Sequence, residues 1–95
     1  VLVSTEGRGE PVVYRAEEVE AWYADMPLCV LVDGGSASAS EVLAAALQDH
    51  RAGVLCGEPT WGKGVVQSLR HFDGGARLAK VTSSYYYTPA RRNLE

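Results

Sequence analysis

Three serines at alternate positions, Ser36, Ser38 and Ser40, lie in the stretch GGSASASE at residues 34–41. A serine hydroxyl at a turn from a strand into a helix can serve as a nucleophile, because the free amides and the positive dipole end of the helix stabilise developing negative charge. The same hydroxyl can simply cap the helix, a structural role worth about 1 kcal/mol. The stretch therefore indicates either nucleophilic catalysis or a helix start.

The capping rule distinguishes the three serines. A serine N-cap favours Glu or Gln three residues later, and only Ser38 has such a residue, Glu41. Ser36 and Ser40 are followed at that distance by apolar residues. We therefore predict that the helix begins at Ser38. If Ser38 is also a nucleophile, the amide of Ala39 is its natural oxyanion donor, as in the nucleophile elbows of hydrolases.

A nucleophilic serine needs a base, and Lys63 in GEPTWGKGVVQ is the candidate. It follows the next apolar strand, and loops that leave the carboxyl ends of neighbouring parallel strands share one crevice. Trp61 and the flanking glycines predict a lysine enclosed by apolar surface, whereas the plain alternative is a solvated surface charge. His50 falls about 18 Å from Ser38 along the same helix, too far to take its proton. His71 is predicted to be an exposed strand residue.

The elements that must position these residues form a strand–helix–strand unit. Leu28–Val32 is apolar without alternation, which is typical of a strand buried on both faces of a parallel sheet. Strong helix formers run from Ser38 to about Arg51, with Gly53 as a terminator, and Val54–Cys56 forms a second apolar strand. Such a crossover makes its two strands parallel, so the pattern predicts an α/β fold.

Further elements flank this unit. Val1–Ser4 and Val12–Arg15 are predicted to form a hairpin, and apolar spacing over Glu17–Tyr23 predicts a short helix. The runs Val65–Phe72 and Ala76–Tyr87 are separated by DGG, a strong hairpin turn.

Composition narrows the function. The 95 residues begin with Val1 and contain one internal methionine, so we interpret the chain as a segment of a longer protein. Nine basic and twelve acidic side chains, without a basic cluster, do not favour nucleic acid as a partner. No apolar run approaches the ~18 residues that would predict a transmembrane helix.

Cys29 and Cys56 lie in apolar runs without metal-ligand spacing, which predicts buried thiols acting as small hydrophobes and no metal site.

Three motifs, GGSASASEVLAAALQDH, GEPTWGKGVVQ and YYYTP, resemble in order and spacing those of the carboxyl-terminal processing peptidases, also called tail-specific proteases. The resemblance covers Pro27–Pro89. It implies a crotonase-like α/β peptidase core in which Ser38 is the nucleophile, Lys63 the general base and Gln67 the side chain that orients the lysine. That role of Gln67 predicts a turn-like conformation over residues 62–67, because residues four apart in a strand stand about 13 Å apart.

The resemblance carries further expectations. The amide of Ala39 matches one oxyanion donor, and the second donor of the family lies upstream of Val1, so the segment is expected to hold an incomplete site. Asp49 recurs in the family, and we assign it a structural role at the helix end. The family usually has Ser-Gly-Arg after YYYTP, whereas this chain has residues 90–92, Ala-Arg-Arg.

The resemblance also implies a serine-type endopeptidase that cleaves polypeptides near their carboxyl termini without metal or organic cofactor. Location in the periplasm or cell envelope and a PDZ-like domain in the complete protein are expected. Within one catalytic core we distinguish an N-terminal hairpin and connector (1–26), a motif-bearing core (27–89) and an exit loop (90–95).

Two alternatives remain open on sequence alone. One is a catalytically inactive binding or scaffold protein of the same fold. The other is a nucleotide site, because GEPTWGKG fits the phosphate-loop pattern G-x-x-x-x-G-K and Asp33 ends an apolar strand. Three features argue against a nucleotide site. Gly64 stands where a Mg²⁺-binding Ser or Thr is needed, and Pro59 has no N–H group to donate to a phosphate. The strand that ends in aspartate also precedes the lysine loop, which is the opposite of the usual order.

Overall fold

The computed structural model describes residues 1–17 and 25–95. Its elements are β1 (Val3–Gly7), β2 (Val12–Tyr14), β3 (Cys29–Val32), α1 (Ala39–Asp49), β4 (Val54–Gly57), β5 (Val65–Phe72) and β6 (Arg77–Tyr87), with a 3₁₀ turn at Asp73–Gly75. The short helix predicted over Glu17–Tyr23 lies, apart from Glu17, outside the described residues.

The strands form two sheets. The strands β2, β1, β6 and β5 make a four-stranded antiparallel sheet in that order, which confirms both predicted hairpins. A second sheet holds β3 and β4, parallel and in register from Cys29 opposite Val54 to Val32 opposite Gly57. With α1 between them in the chain, β3 and β4 confirm the predicted strand–helix–strand unit and the mixed α/β class.

Helix α1 begins as predicted, with Ser38 as its N-cap and a capping box closed by Glu41. Its end differs from the prediction. Arg51, at φ 55°, follows the C-cap His50, and the amides of Arg51 and Ala52 bond the carbonyls of Gln48 and Leu47 at 3.0 and 2.9 Å. This is a Schellman motif with arginine in the left-handed position that glycine usually takes. The prediction of Gly53 as terminator is therefore wrong.

The small core lies around α1 and β1, where Val3, Ala44, Ala45 and Ala46 are buried. Strands β3 and β4 are not covered on both faces, because Leu31 is 82% and Val54 is 65% exposed. The predicted burial of Leu28–Val32 is therefore wrong for this chain. The physical reason is that the described residues place only two strands in this sheet and bring α1 against β4.

The carboxyl ends of β3 and β4 meet at Gly57. Its φ is +131°, and a Cβ atom there would lie 1.9 Å from the carbonyl oxygen of Val32 on the neighbouring strand. Only glycine fits this conformation and this approach. The next amide, that of Glu58, bonds the same Val32 oxygen at 3.1 Å. The two loops that leave these strands therefore start side by side.

Candidate active site

The loop after β3 is held by an aspartate turn. One carboxylate oxygen of Asp33 accepts hydrogen bonds from the amides of Gly35 and Ser36, at 2.9 and 3.1 Å. The Ser36 hydroxyl in turn accepts a bond from the Asp33 amide at 3.1 Å. Ser36 is therefore engaged in the structure of the turn, which favours a different serine as a nucleophile.

Ser38 has a strained backbone, with φ 56° and ψ −114°. Positive φ is uncommon for residues other than glycine, and strained conformations of this kind cost on the order of 1–3 kcal/mol and cluster at active sites, ligand clamps and switch regions. A sharp, strained turn from a strand to a helix is the geometry that presents the nucleophile in hydrolase elbows. Capping alone does not require this conformation, since an N-cap residue normally lies in the extended region.

The carboxylate of Glu41 joins the serine loop to the lysine loop. The residue is 3% exposed. Its Oε2 accepts bonds from the amides of Ser38 at 2.7 Å and Lys63 at 3.0 Å, and its Oε1 accepts one from the amide of Gly62 at 2.6 Å. One oxygen thus bonds both the Ser38 and the Lys63 backbones. Sequence reasoning identified the capping bond only, because the other donors lie 21 and 22 residues away in the chain.

These bonds control the ionisation of Glu41. Burial acts to raise its pKa, but the bonds donated by the Thr60 hydroxyl and by the amides of Gly62, Lys63 and Ser38 outweigh burial. The pKa of Glu41 therefore lies below its ordinary value of 4.5. Because the folded-state pKa is the lower one, the carboxylate stabilises the fold fully above about pH 4.5 and loses that effect as the pH falls through the folded-state pKa.

Glu41→Gln is expected to destabilise the protein by about 2–4 kcal/mol at pH 7, because the new NH₂ group would face amide donors. The deficit relative to the wild type should shrink as the pH falls below about 4.5, because the unfolded wild-type chain takes up a proton on residue 41 before the native carboxylate does. Chemical denaturation at pH 7 and pH 3.5 measures both effects. Glu58→Gln is the matched control, since Glu58 is an exposed residue of the same loop and its loss should change stability by less than about 0.5 kcal/mol. Equal effects of the two variants would contradict this role of Glu41.

The lysine loop has further supports. The amide of Trp61 bonds the Ser36 carbonyl at 3.0 Å, and the amide of Tyr86 on β6 bonds the Gly64 carbonyl at 2.8 Å. Gly64 is also covered by the C-terminal tail, since a Cβ atom there would lie 2.5 Å from the amide nitrogen of Glu95.

Trp61 is 72% exposed, so it does not enclose Lys63 as predicted. Lys63 is half-buried.

An open cleft of about 410 Å³ brings the predicted side chains together. It is lined by Ser38, Lys63, Val65, Val66, Gln67, Leu69, Lys80 and Tyr86. Ala39 lines an adjacent cleft of about 300 Å³, which also contains Val66 and Tyr86. The structure therefore places Ser38, Lys63 and Gln67 around one space, with Ala39 beside it.

The position of Gln67 differs in detail from the prediction. Within residues 62–67, only residues 62–64 lie outside regular secondary structure, and Gly62 there has φ +84°. Gln67 belongs to strand β5. A β-bulge between Val66 and Gln67 shifts the pairing with β6. Between the two described residues Lys63 and Gln67 the structure shows no hydrogen bond. They share the cleft, but the turn-like conformation predicted over residues 62–67 is wrong beyond Gly64.

Lys80 is a cleft residue that sequence reasoning missed. Register places it opposite Leu69, while Thr82 pairs with Gln67, so Lys80 is a diagonal neighbour of Gln67 at about 7–8 Å between Cα atoms. No local pattern in the sequence identifies it, because its place in the cleft follows from the register of β5 and β6. Two lysines thus line the cleft, and no carboxylate side chain appears among the described residues that line it.

Asp49 lies at the other end of α1. Its side chain is 6% exposed, pairs with Arg92 and accepts a bond from the Ala90 amide at 2.9 Å. Burial acts to raise the pKa of Asp49, but the Thr88 hydroxyl, the Ala90 amide and Arg92 together hold it below its ordinary value of 3.8. Asp49 therefore anchors the segment after β6, which agrees with a structural role at the helix end.

The Ala-Arg-Arg segment at residues 90–92 has its own contacts. Besides the pairing of Arg92 with Asp49, Arg91 pairs with Glu6 on β1, and its guanidinium lies 5.2 Å from the ring centroid of Tyr87. The predicted exit loop therefore folds back onto the domain and packs beside the lysine loop.

The two histidines lie away from the cleft. His50 caps the far end of α1, and its Nε2 is 2.6 Å from the Val1 carbonyl oxygen. His71 is exposed on β5, as predicted. Neither histidine lines the cleft that contains Ser38.

The geometry also bears on the nucleotide alternative. A phosphate loop leads into a helix and leaves its amides free for phosphate oxygens. Here the chain after Lys63 enters strand β5, and the amides of Gly62 and Lys63 are already bonded to Glu41. The structure therefore argues against a phosphate loop.

Within residues 1–17 and 25–95, no group of three or more His, Cys, Asp or Glu side chains is placed to hold a metal ion. No helix in this part of the chain is long and apolar enough to cross a membrane.

Comparison with known proteins agrees with this arrangement. The profile of peptidase family S41 matches residues 1–95. The chain belongs to peptidase family S41. It is 42% identical over 95 residues to the chloroplastic carboxyl-terminal-processing peptidase 2 of Arabidopsis thaliana. This match covers 100% of the chain and 18% of the relative. It is 51% identical over 70 residues to the carboxyl-terminal-processing protease of Synechocystis sp., covering 74% of this chain and 16% of the relative.

A solved structure extends the comparison to the fold. The photosystem II D1 C-terminal processing protease superposes with a TM-score of 0.82 at 36% identity, over 98% of this chain and 24% of that protein. The chain therefore spans less than a quarter of the length of these relatives.

Proposed function

We propose that the protein containing this chain is a serine-type endopeptidase, with Ser38 as nucleophile and Lys63 as general base. The observation that carries the proposal is the common cleft of Ser38, Lys63 and Gln67, combined with the strained backbone of Ser38. Membership of a peptidase family supports it.

In the proposed reaction, the Ser38 oxygen attacks the carbonyl carbon of a peptide bond and passes its proton to neutral Lys63. The carbonyl oxygen becomes an oxyanion, stabilised by the Ala39 amide at the start of α1. Collapse of this intermediate expels the amine of the substrate, which takes the proton from Lys63. Water then attacks the acyl-serine, again through the lysine, and releases the second peptide.

Gln67, on the strand β5 that follows the lysine loop, is proposed to position Lys63, and Glu41 is proposed to hold both loops through their backbones. Because several relatives are named carboxyl-terminal-processing proteases, we propose polypeptides as substrates, cleaved near their carboxyl termini. Some of these relatives are bacterial and others chloroplastic, which supports a proposed location in the cell envelope or an equivalent compartment. We propose that the reaction uses no cofactor.

A serine-directed phosphonate probe tests the proposal and separates an enzyme from an inactive scaffold. The complete protein should be labelled at Ser38 and lose peptidase activity in proportion to labelling. Ser36 and Ser40 should remain unlabelled, because the first is engaged in the Asp33 turn and the second lies outside the cleft. Peptide mapping by mass spectrometry locates the adduct. Absence of labelling in a folded protein without peptidase activity would support the scaffold.

A further inference from the structure

Two thiols face each other between strands β3 and β4. Cys29 begins β3, Cys56 is the third residue of β4, and their sulfur atoms are 2.9 Å apart with the Cys29 thiol as donor. Both cysteines are free, Cys29 exposed and Cys56 half-buried. The prediction that both are buried small hydrophobes is therefore wrong, and the pair has a geometry that packing alone does not require.

The register explains how the two side chains meet. Cys29 pairs with Val54 and Leu31 pairs with Cys56, so the cysteines are diagonal neighbours on one face of the parallel pair. A disulfide requires a sulfur–sulfur distance of about 2.05 Å and Cα atoms about 4.4–6.8 Å apart. The sulfur atoms are 2.9 Å apart, and a strand spacing of about 4.8 Å with two rises of about 3.3 Å puts the Cα atoms of diagonal neighbours about 8 Å apart. The bond therefore requires the two strands to shift by about 1–2 Å as well as the sulfur atoms to approach. Within residues 1–17 and 25–95 this sheet has two short strands, and Leu31 and Val54 on it are exposed, so little packing among these residues opposes such a movement.

We propose that Cys29 and Cys56 form a reversible disulfide by exchange with a small disulfide oxidant such as oxidised glutathione. The thiolate of one cysteine attacks the oxidant and releases one glutathione thiolate. The second cysteine attacks the resulting mixed disulfide and releases another. The two thiol protons pass to the two leaving thiolates, so two electrons and two protons end on glutathione. This proposal does not depend on the proposed function.

The bond would join the two strands that support the site. Strand β3 leads to Ser38 and β4 leads to Lys63, and α1 lies in the loop that the bond would close. Closing a loop of this size restricts the unfolded chain and stabilises the folded one. The pKa of Cys29 lies above its ordinary value of 9.0. The main cause is the hydrogen bond with Cys56, and desolvation and charge repulsion from Cys56 raise the pKa further. Exchange should therefore accelerate as the pH rises above neutrality.

The experiment incubates the complete reduced protein with oxidised glutathione at pH 8, alkylates the remaining thiols and maps peptides without reduction. The expected product is one cross-linked peptide pair containing Cys29 and Cys56, two hydrogens lighter than its parts and abolished by dithiothreitol. The melting temperature of the oxidised protein should exceed that of the reduced protein by about 5 °C or more.

Valine variants provide the controls, because valine is apolar and suits a strand. Cys29→Val and Cys56→Val should each leave one cysteine that forms a mixed disulfide with glutathione, without a cross-link. The double variant should show no redox-dependent melting shift. Alkylation of both native cysteines after oxidation, separate glutathione adducts on each, or an equal melting shift in the double variant would overturn the proposal.

Discussion

Replacing Ser38 with alanine is expected to lower kcat/KM of the complete protein for peptide hydrolysis by ~10⁴-fold or more, because no acyl-enzyme can form without the hydroxyl. Alanine keeps the Cβ atom, so the strained backbone of the turn and the Glu41 bond to the residue 38 amide should persist. Loss of a cap costs about 1 kcal/mol, which leaves the protein folded. Steady-state hydrolysis of a peptide and thermal denaturation measure the two effects separately.

The neighbouring serines supply matched controls. Ser40→Ala should retain nearly full activity, because the residue is exposed and outside the cleft. Ser36→Ala removes the hydroxyl that accepts the Asp33 amide bond, so a loss of less than about 10-fold is expected from a looser turn. If Ser36→Ala were the inactive variant and Ser38→Ala remained active, the nucleophile would be assigned to the wrong serine.

The positions of Ser38 and Lys63 were predictable because they depend on short-range rules. Apolar runs around Val30 and Leu55 and helix formers between them define a parallel crossover, and such a crossover brings both loops to one edge. The capping box selects Ser38 through a residue only three positions away. The backbone strain of Ser38 was not predictable in the same way, since serine by itself prefers ordinary conformations.

The contacts that fix the site depend on residues distant in sequence. The bonds of Glu41 to Gly62 and Lys63, and the place of Lys80 in the cleft, follow from loop geometry and strand register that no local pattern encodes. The bulge before Gln67 likewise shifts which side chains face the cleft.

Burial was predicted least well. An apolar run such as that containing Leu31 indicates that a strand can be buried, but it does not say what covers it, and here Leu31 is 82% exposed. On helix α1 the large apolar residue Leu43 is likewise 59% exposed, while the small residues Ala44 and Ala45 are buried. Periodicity identifies an apolar face, whereas burial also depends on the layers available to pack against it.

Lys63→Arg is expected to lower kcat/KM by at least about 10³-fold although it preserves the positive charge. A lysine base works in its neutral form, and a guanidinium stays protonated at any accessible pH, so it cannot take the Ser38 proton. The backbone bond from residue 63 to Glu41 does not involve the side chain, so the loop should remain in place.

Two control variants make the assignment specific. Lys80→Arg places the same substitution in the same cleft and should retain most activity, because Lys80 is not proposed to move a proton. The double variant His50→Gln/His71→Gln should keep the wild-type rate, because His50 lies at the far end of α1 beside Val1 and His71 is exposed on β5. Substantial activity in Lys63→Arg, or loss of activity in the folded double-histidine variant, would show that the base is another group.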